Sequence, residues 1–195
     1  MPSAIHALTD RITGPIERLG DGWLLGLLGR LVFAGVLLMY FLNSAFTKFD
    51  GGPFSVSDAA YFQIIPPIVE AAGYDASAVP FFPWGLVVLL GTYGEVILPI
   101  LLVLGLFTRL SALGMLIFIG VQSYVDIAFH GADAATVGVW FDNLSNAAIV
   151  DQRAFWAFLF VHLAIKGGGA VSIDGLIRRR RAARAEEEPV SYGAA

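Results

Sequence analysis

The chain has 195 residues, of which 57% are apolar and only 14% charged, with a formal charge of −4, a mean hydropathy of +0.73 and no cysteine. Soluble domains carry about 25% charged residues, so this composition argues against a water-soluble globule. The missing thiols exclude, within this chain, disulfide exchange, a cysteine-ligated iron–sulfur cluster and thioether-linked haem.

The first 22 residues are polar and mixed in charge, unlike a cleaved signal peptide, and read as a cytoplasmic N-terminal segment. A helix crosses a hydrocarbon core of about 30 Å with about 20 apolar residues at about 1.5 Å each. Spans of that kind are expected at about 23–47, 84–107, 110–129 and 154–173. The first carries no charge from Leu31 to Thr47, the second only Glu95, the third none from Leu110 to Val125. The fourth holds His162 and is interrupted by Lys166 and Gly167-Gly168-Gly169, which read as the end of the helix. In the long connection after the first span, Ser57 before Asp58-Ala-Ala-Tyr-Phe-Gln looks like a capped start of an interfacial helix that Pro66-Pro67 kinks or ends. Thr108 and Arg109 alone join the second and third spans, which makes them an antiparallel pair. A membrane domain is thus expected over 23–177, followed by a disordered basic and acidic cytoplasmic tail over 178–195.

Charge placement orients the spans. Ten of the twelve basic residues fall at the ends and short turn of one side, leaving Lys48 and Arg153 on the other, where the connections carry Asp50, Asp58, Glu70, Asp75, Asp133, Asp142 and Asp151. The positive-inside pattern predicts an all-α, four-helix transmembrane bundle with both termini cytoplasmic, multi-pass in a bacterial inner membrane. The run Arg178 to Arg181 suits anionic lipid headgroups, so the lipid bilayer is the expected partner and nucleic acid is not.

An ionisable group inside a span needs a partner or a purpose, because its insertion costs about 2.5–3.5 kcal/mol at the helix centre. Glu95 lies eleven residues from Trp84 and twelve from Phe107. Pro99 has no N–H, so the carbonyl of Glu95 also loses its helical bond. By helical rise Arg30, Glu95, His162 and Lys166 come within about 10 Å of depth, and they are expected to form one buried cluster. Two readings stand open: ion pairing that holds the bundle together, or a site for an anionic or quinone-like molecule with Glu95 and His162 as candidate proton-handling residues. Gln122, Asp126 and His130 share one face near the outer end of the third span and read as a solvated rim, and no metal site is expected.

Three stretches together resemble the DoxX family: Arg30 with the later Lys48; Glu95-Val-Ile-Leu-Pro-Ile-Leu-Leu-Val-Leu-Gly105-Leu-Phe-Thr-Arg109; and Lys166-Gly-Gly-Gly-Ala-Val-Ser172-Ile-Asp174. The resemblance covers roughly Gly29 to Asp174 and implies a four-helix membrane bundle. Its motif positions here are Arg30, Glu95, Arg109, Lys166, Gly167, Gly168, Ser172 and Asp174. By resemblance to relatives that include a subunit of a quinone oxidoreductase, the chain is expected to be a membrane subunit of a redox system. Quinone would then be a non-covalent cofactor, and a soluble redox enzyme or second membrane subunit a partner. The alternative is a non-enzymatic scaffold or small-solute carrier.

Overall fold

A computed structural model describes residues 24–52 and 54–187, together with residues 11, 13–15 and 17. The expectations for 1–22 and 188–195 therefore lie almost wholly outside the described residues. Nine α-helices follow in order among the described residues beyond Leu24: α1 (Leu25–Val36), α2 (Leu38–Phe46), α3 (Asp58–Ile64), α4 (Pro66–Ala71), α5 (Leu86–Leu104), α6 (Thr108–Ala128), α7 (Ala134–Val137), α8 (Arg153–Lys166) and α9 (Ile173–Glu187). Among the described residues three stretches are long and apolar enough to cross a membrane, Phe81–Leu104, Thr108–Ala128 and Ala148–Lys166. The α1–α2 pair makes a fourth if the two helices are one span, bent by 44°. The chain is an all-α membrane bundle.

The spans differ from the sequence expectation where local backbone chemistry intervenes. The first bends at Leu37, although the bonds from Leu37 N–H to Phe33 O and from Phe41 N–H to Leu37 O persist at 2.8 and 3.1 Å. The second begins at Phe81, three residues before Trp84, and ends at Leu104, where Gly105 adopts a left-handed φ of +68°. Leu106 N–H then donates to Leu101 O, closing the end as glycine-capped helices do. The fourth runs from Ala148 to Lys166 and not to 173, because Gly167 and Gly169 take φ of +76° and +75° and turn the chain out of the helix. Residues 173–187 form α9, so helix occupies ten residues of the stretch read as disordered tail. The Ser172 hydroxyl accepts from Gly175 N–H at 2.9 Å as an N-cap, and the Arg, Ala and Glu that follow are good helix formers. In the long connection the expected helix starts at Asp58 and breaks before Pro66, but the Ser57 side chain does not cap it.

Phe33, Phe41, Leu102, Met115, Phe160 and Leu163 are wholly buried between the spans. A second cluster of Ala60, Ile65, Val69, Val79 and Val88 seats α3 and α4 against α5. Outward, Leu31, Val36, Leu90, Ile117, Phe155 and Phe158 are exposed, the apolar exterior that a hydrocarbon solvent requires. Close approach of α1 to the glycine turn depends on Gly26, where a Cβ would meet Gly169 N, Gly167 O and Gly168 C at 2.6 to 2.8 Å. These obstacles are backbone atoms and have nowhere to go. Gly26→Val is expected to cost at least the 1–3 kcal/mol typical of overpacking, read as a lower unfolding midpoint in detergent.

Candidate functional site

Glu95 sits midway along α5 and is 1% exposed. Its carboxylate pairs with Lys48, which enters two residues beyond α2 and is itself buried. The Lys48 ammonium donates to Glu95 Oε2 at 2.7 Å, to Ser44 Oγ at 2.9 Å and to Ser44 O at 3.1 Å. These three acceptors account for its three hydrogens. Two full charges are thus removed from water and bonded to each other inside the bundle, an arrangement whose desolvation cost offsets much of its attraction.

The pair opens into a cavity of about 430 Å³ between α5 and α6, roofed by α3. Ser44, Lys48 and Glu95 form its polar inner part, while Leu90, Leu98, Ile117 and Val121 give it apolar walls. Leu90, Ile117 and Val121 are also exposed on the outer surface, so the mouth faces the hydrocarbon phase. Glycines make the room. A Cβ at Gly91 would lie 3.1 Å from Ile64 Cδ1, and one at Gly114 3.0 Å from both methyls of Leu98.

Gln122, Asp126 and His130, expected as a solvated rim, line the same cavity towards the end that carries α3 and α4. Each is tied to a different element: Gln122 Nε2 donates to the Tyr40 hydroxyl, Asp126 pairs with Arg153 of α8, and the His130 ring bonds Gln63 O at 2.9 Å. The other amide atom, Gln122 Oε1, is buried without a hydrogen-bond partner. Among the described residues no three His, Asp or Glu side chains gather closely enough to hold a metal ion.

The expected cluster of Arg30, Glu95, His162 and Lys166 is not assembled. Arg30 crosses to the other end of α5. Its guanidinium lies against Gly105, ten residues and about 15 Å along the helix from Glu95. There it donates to Leu102 O, Val103 O, Gly168 O and Val171 O. The first two belong to the last turn of α5 and lack the usual i+4 donor, although Leu102 O also accepts from Gly105 N–H at 3.1 Å. His162 faces α1, with its Nε2 3.2 Å from Leu25 O. Lys166 is exposed at the last turn of α8. Equal depth along separate helices did not bring these groups together, because each helix was free to present them to a different neighbour.

The remaining motif positions make one clasp at this same end. Asp174 Oδ1 accepts from Phe107 N–H at 2.9 Å, and its Oδ2 accepts from Thr108 N–H at 2.9 Å and the Thr108 hydroxyl at 2.8 Å. A carboxylate therefore caps the N-terminus of α6, where the helix dipole favours negative charge. Asp174 N–H donates in turn to Gly105 O. The Ser172 hydroxyl donates to Gly169 O, a Cβ at Gly168 would strike Thr108 Oγ1 at 2.6 Å, and Arg109 packs over Gly167. Arg30, Arg109, Gly167, Gly168, Ser172 and Asp174 thus close the bundle.

Burial raises the Asp174 pKa, but the N–H and hydroxyl of Thr108, the Phe107 N–H and the Arg178 charge together hold it below the usual carboxylate range. A depressed native pKa stabilises the fold above the unfolded value of about 3.9, and that contribution disappears as pH falls through the native one. Asp174→Ala is expected to cost about 1 kcal/mol at pH 7. Urea titrations from pH 7 to pH 3 should show a flatter acid limb for the variant than for the wild type.

Lys48 is the partner of Glu95 that sequence reasoning missed: it figures in the family resemblance but was placed in the outer connection and not in the buried cluster. The signal was available: a carboxylate inside a span demands a cation, and Lys48 is four residues after Ser44 at the end of the first span. Neither the curated proteins nor the solved structures contain a match to the chain. A family model, DoxX, matches residues 25–131, which include Lys48, Glu95 and every span except the last. The chain belongs to the DoxX family.

Proposed function

We propose that the cavity binds the headgroup of a lipophilic, carbonyl-bearing redox molecule of the quinone class, and that the chain is a membrane subunit of a redox system in a bacterial inner membrane. The observation that carries this reading is a buried ion pair facing a mostly apolar cavity whose mouth opens towards lipid. Pockets that are largely apolar with a few fixed polar groups suit such a ligand. The Lys48 ammonium donates to a quinone carbonyl by exchanging one of its Ser44 bonds, and the unpartnered Gln122 Oε1 accepts from a quinol hydroxyl. Reduction of quinone to quinol takes two electrons and two protons. The electrons come from a soluble redox enzyme or second membrane subunit and the protons from the aqueous phase, while the chain supplies position and polarity. The positive-inside charge pattern supports an orientation with the α3–α4 connection outside.

The test is titration of the purified protein with a short-tailed ubiquinone analogue, followed by calorimetry. Saturable one-site binding is expected for the wild type. Val121→Trp, which fills the mouth from an exposed position, should weaken it at least tenfold without lowering the unfolding midpoint. Binding unaffected by that substitution contradicts the site. Uptake of a polar solute by vesicles holding quinone-free protein would favour the carrier alternative.

A further inference from the structure

The helix α9 stands apart from the packing that explains the rest of the chain. From Leu176 to Glu186 it is exposed throughout. Its attachment lies in its first turns and just before them, through Asp174 on α6 and Arg179 to Ala170 O. A helix of about 15 residues is marginal in water without tertiary support. Here charge works against the good intrinsic propensity: Arg178 and Arg181, Arg181 and Arg184, and Arg180 and Arg184 are like charges three or four residues apart, spacings at which they repel across the helix face. Asp174, bonded to the start of α6, offsets only Arg178 from within the helix, and the other carboxylates of α9 lie at its far end. A counter-charge from outside the chain would remove this repulsion.

The surroundings identify its chemistry. On the same end of the bundle Phe107 and Leu110 are exposed on either side of exposed Arg109, and on α9 Leu176 and Ile177 are exposed next to the arginines. Apolar side chains beside a dense cationic run match the boundary between acyl chains and anionic headgroups, whereas an acidic soluble surface offers no apolar layer to receive them. We infer that anionic phospholipid headgroups bind Arg178 to Arg181 and Arg184, with Arg109 at the edge, and hold α9 as a helix on the membrane surface. Because Asp174 in the first turn also caps α6, lipid bound there is linked to the clasp that closes the bundle.

Amide hydrogen exchange over residues 176–186 reads this directly, with the full chain in nanodiscs of phosphatidylcholine alone or of phosphatidylcholine with an equal part of phosphatidylglycerol. Exchange is expected to slow by about tenfold or more with the anionic lipid. Raising salt to 0.5 M, which shortens electrostatic range to a few ångströms, should remove the effect. The variant with Arg178, Arg179, Arg180 and Arg181 all changed to Gln should exchange at one rate in both lipids, while its transmembrane segments keep wild-type protection. Inorganic phosphate added to the phosphatidylcholine nanodiscs should not substitute. Equal exchange of the wild type in both lipids overturns the inference, as does a lipid effect that survives in the four-Gln variant. Full protection by phosphate alone replaces the lipid with a free anion and overturns it too.

Discussion

Lys48→Met is expected to be the most damaging single substitution in the bundle, with a loss of about 3–5 kcal/mol. It leaves the Glu95 carboxylate, 1% exposed in the middle of α5, without its cation. Glu95→Gln should cost less, because the stranded ammonium keeps both Ser44 acceptors. The double variant Lys48→Met with Glu95→Met should recover most of the stability, since an apolar pair of similar volume has no desolvation cost to meet. Unfolding free energies in mixed micelles for the wild type, Lys48→Met, Glu95→Met and the double variant measure the coupling, expected at about 3 kcal/mol or more. The double variant also separates stability from function: it should fold and insert yet bind no quinone. A pair kept only for stability would have been replaceable by methionine, so a fully stable but ligand-blind double variant assigns the charges to the ligand.

Arg30→Leu is expected to produce the second largest loss, about 3 kcal/mol or more. One guanidinium serves the carbonyls of Leu102, Val103, Gly168 and Val171. Leaving a buried acceptor unpaired costs about 1–3 kcal/mol, and not all of these acceptors are open to water once the side chain is gone. Arg30→Lys should rescue little of the loss, because an ammonium at the end of a flexible stem does not reproduce a planar fork reaching two chain segments. The expected signature is local: amide exchange should accelerate at Gly105 to Thr108 and Gly167 to Asp174, the two segments of the clasp, before global unfolding. Uniform acceleration across α5 and α6 would place the role of Arg30 elsewhere.

The spans were legible because apolar length is a one-dimensional property, and the bilayer turns it into a helix with little tertiary input. The glycine run after Lys166 was legible as a helix end, whereas the break at Gly105 was not, and the second span was expected to run on to 107: a single glycine in an apolar run does not announce that it takes left-handed backbone. Glu95 stood out as the group needing a partner. Its partner was misread because depth along each helix was weighed without rotation about the helix axis. Arg30 is aimed at the end of α5 and not its middle, and Lys48 reaches back into the bundle from beyond α2. Six of the eight motif residues share a structural role that no single segment reveals, since Asp174 completes a helix that begins 66 residues earlier at Thr108. The rim of Gln122, Asp126 and His130 lines the cavity together with Gln63 and Ile64 of α3, a long-range juxtaposition that spacing along the third span does not reveal.

Photolabelling of the membrane-embedded protein with an azido-quinone, followed by mass spectrometric mapping, locates the ligand without presupposing an activity. Adducts should concentrate on the cavity walls at Ile64, Leu90, Ile117 and Val121, and should disappear with excess unlabelled quinone and in the Lys48→Met, Glu95→Met protein. Adducts spread over the lipid-facing surface, or labelling that persists in the double variant, would contradict a quinone site at the Lys48–Glu95 pair.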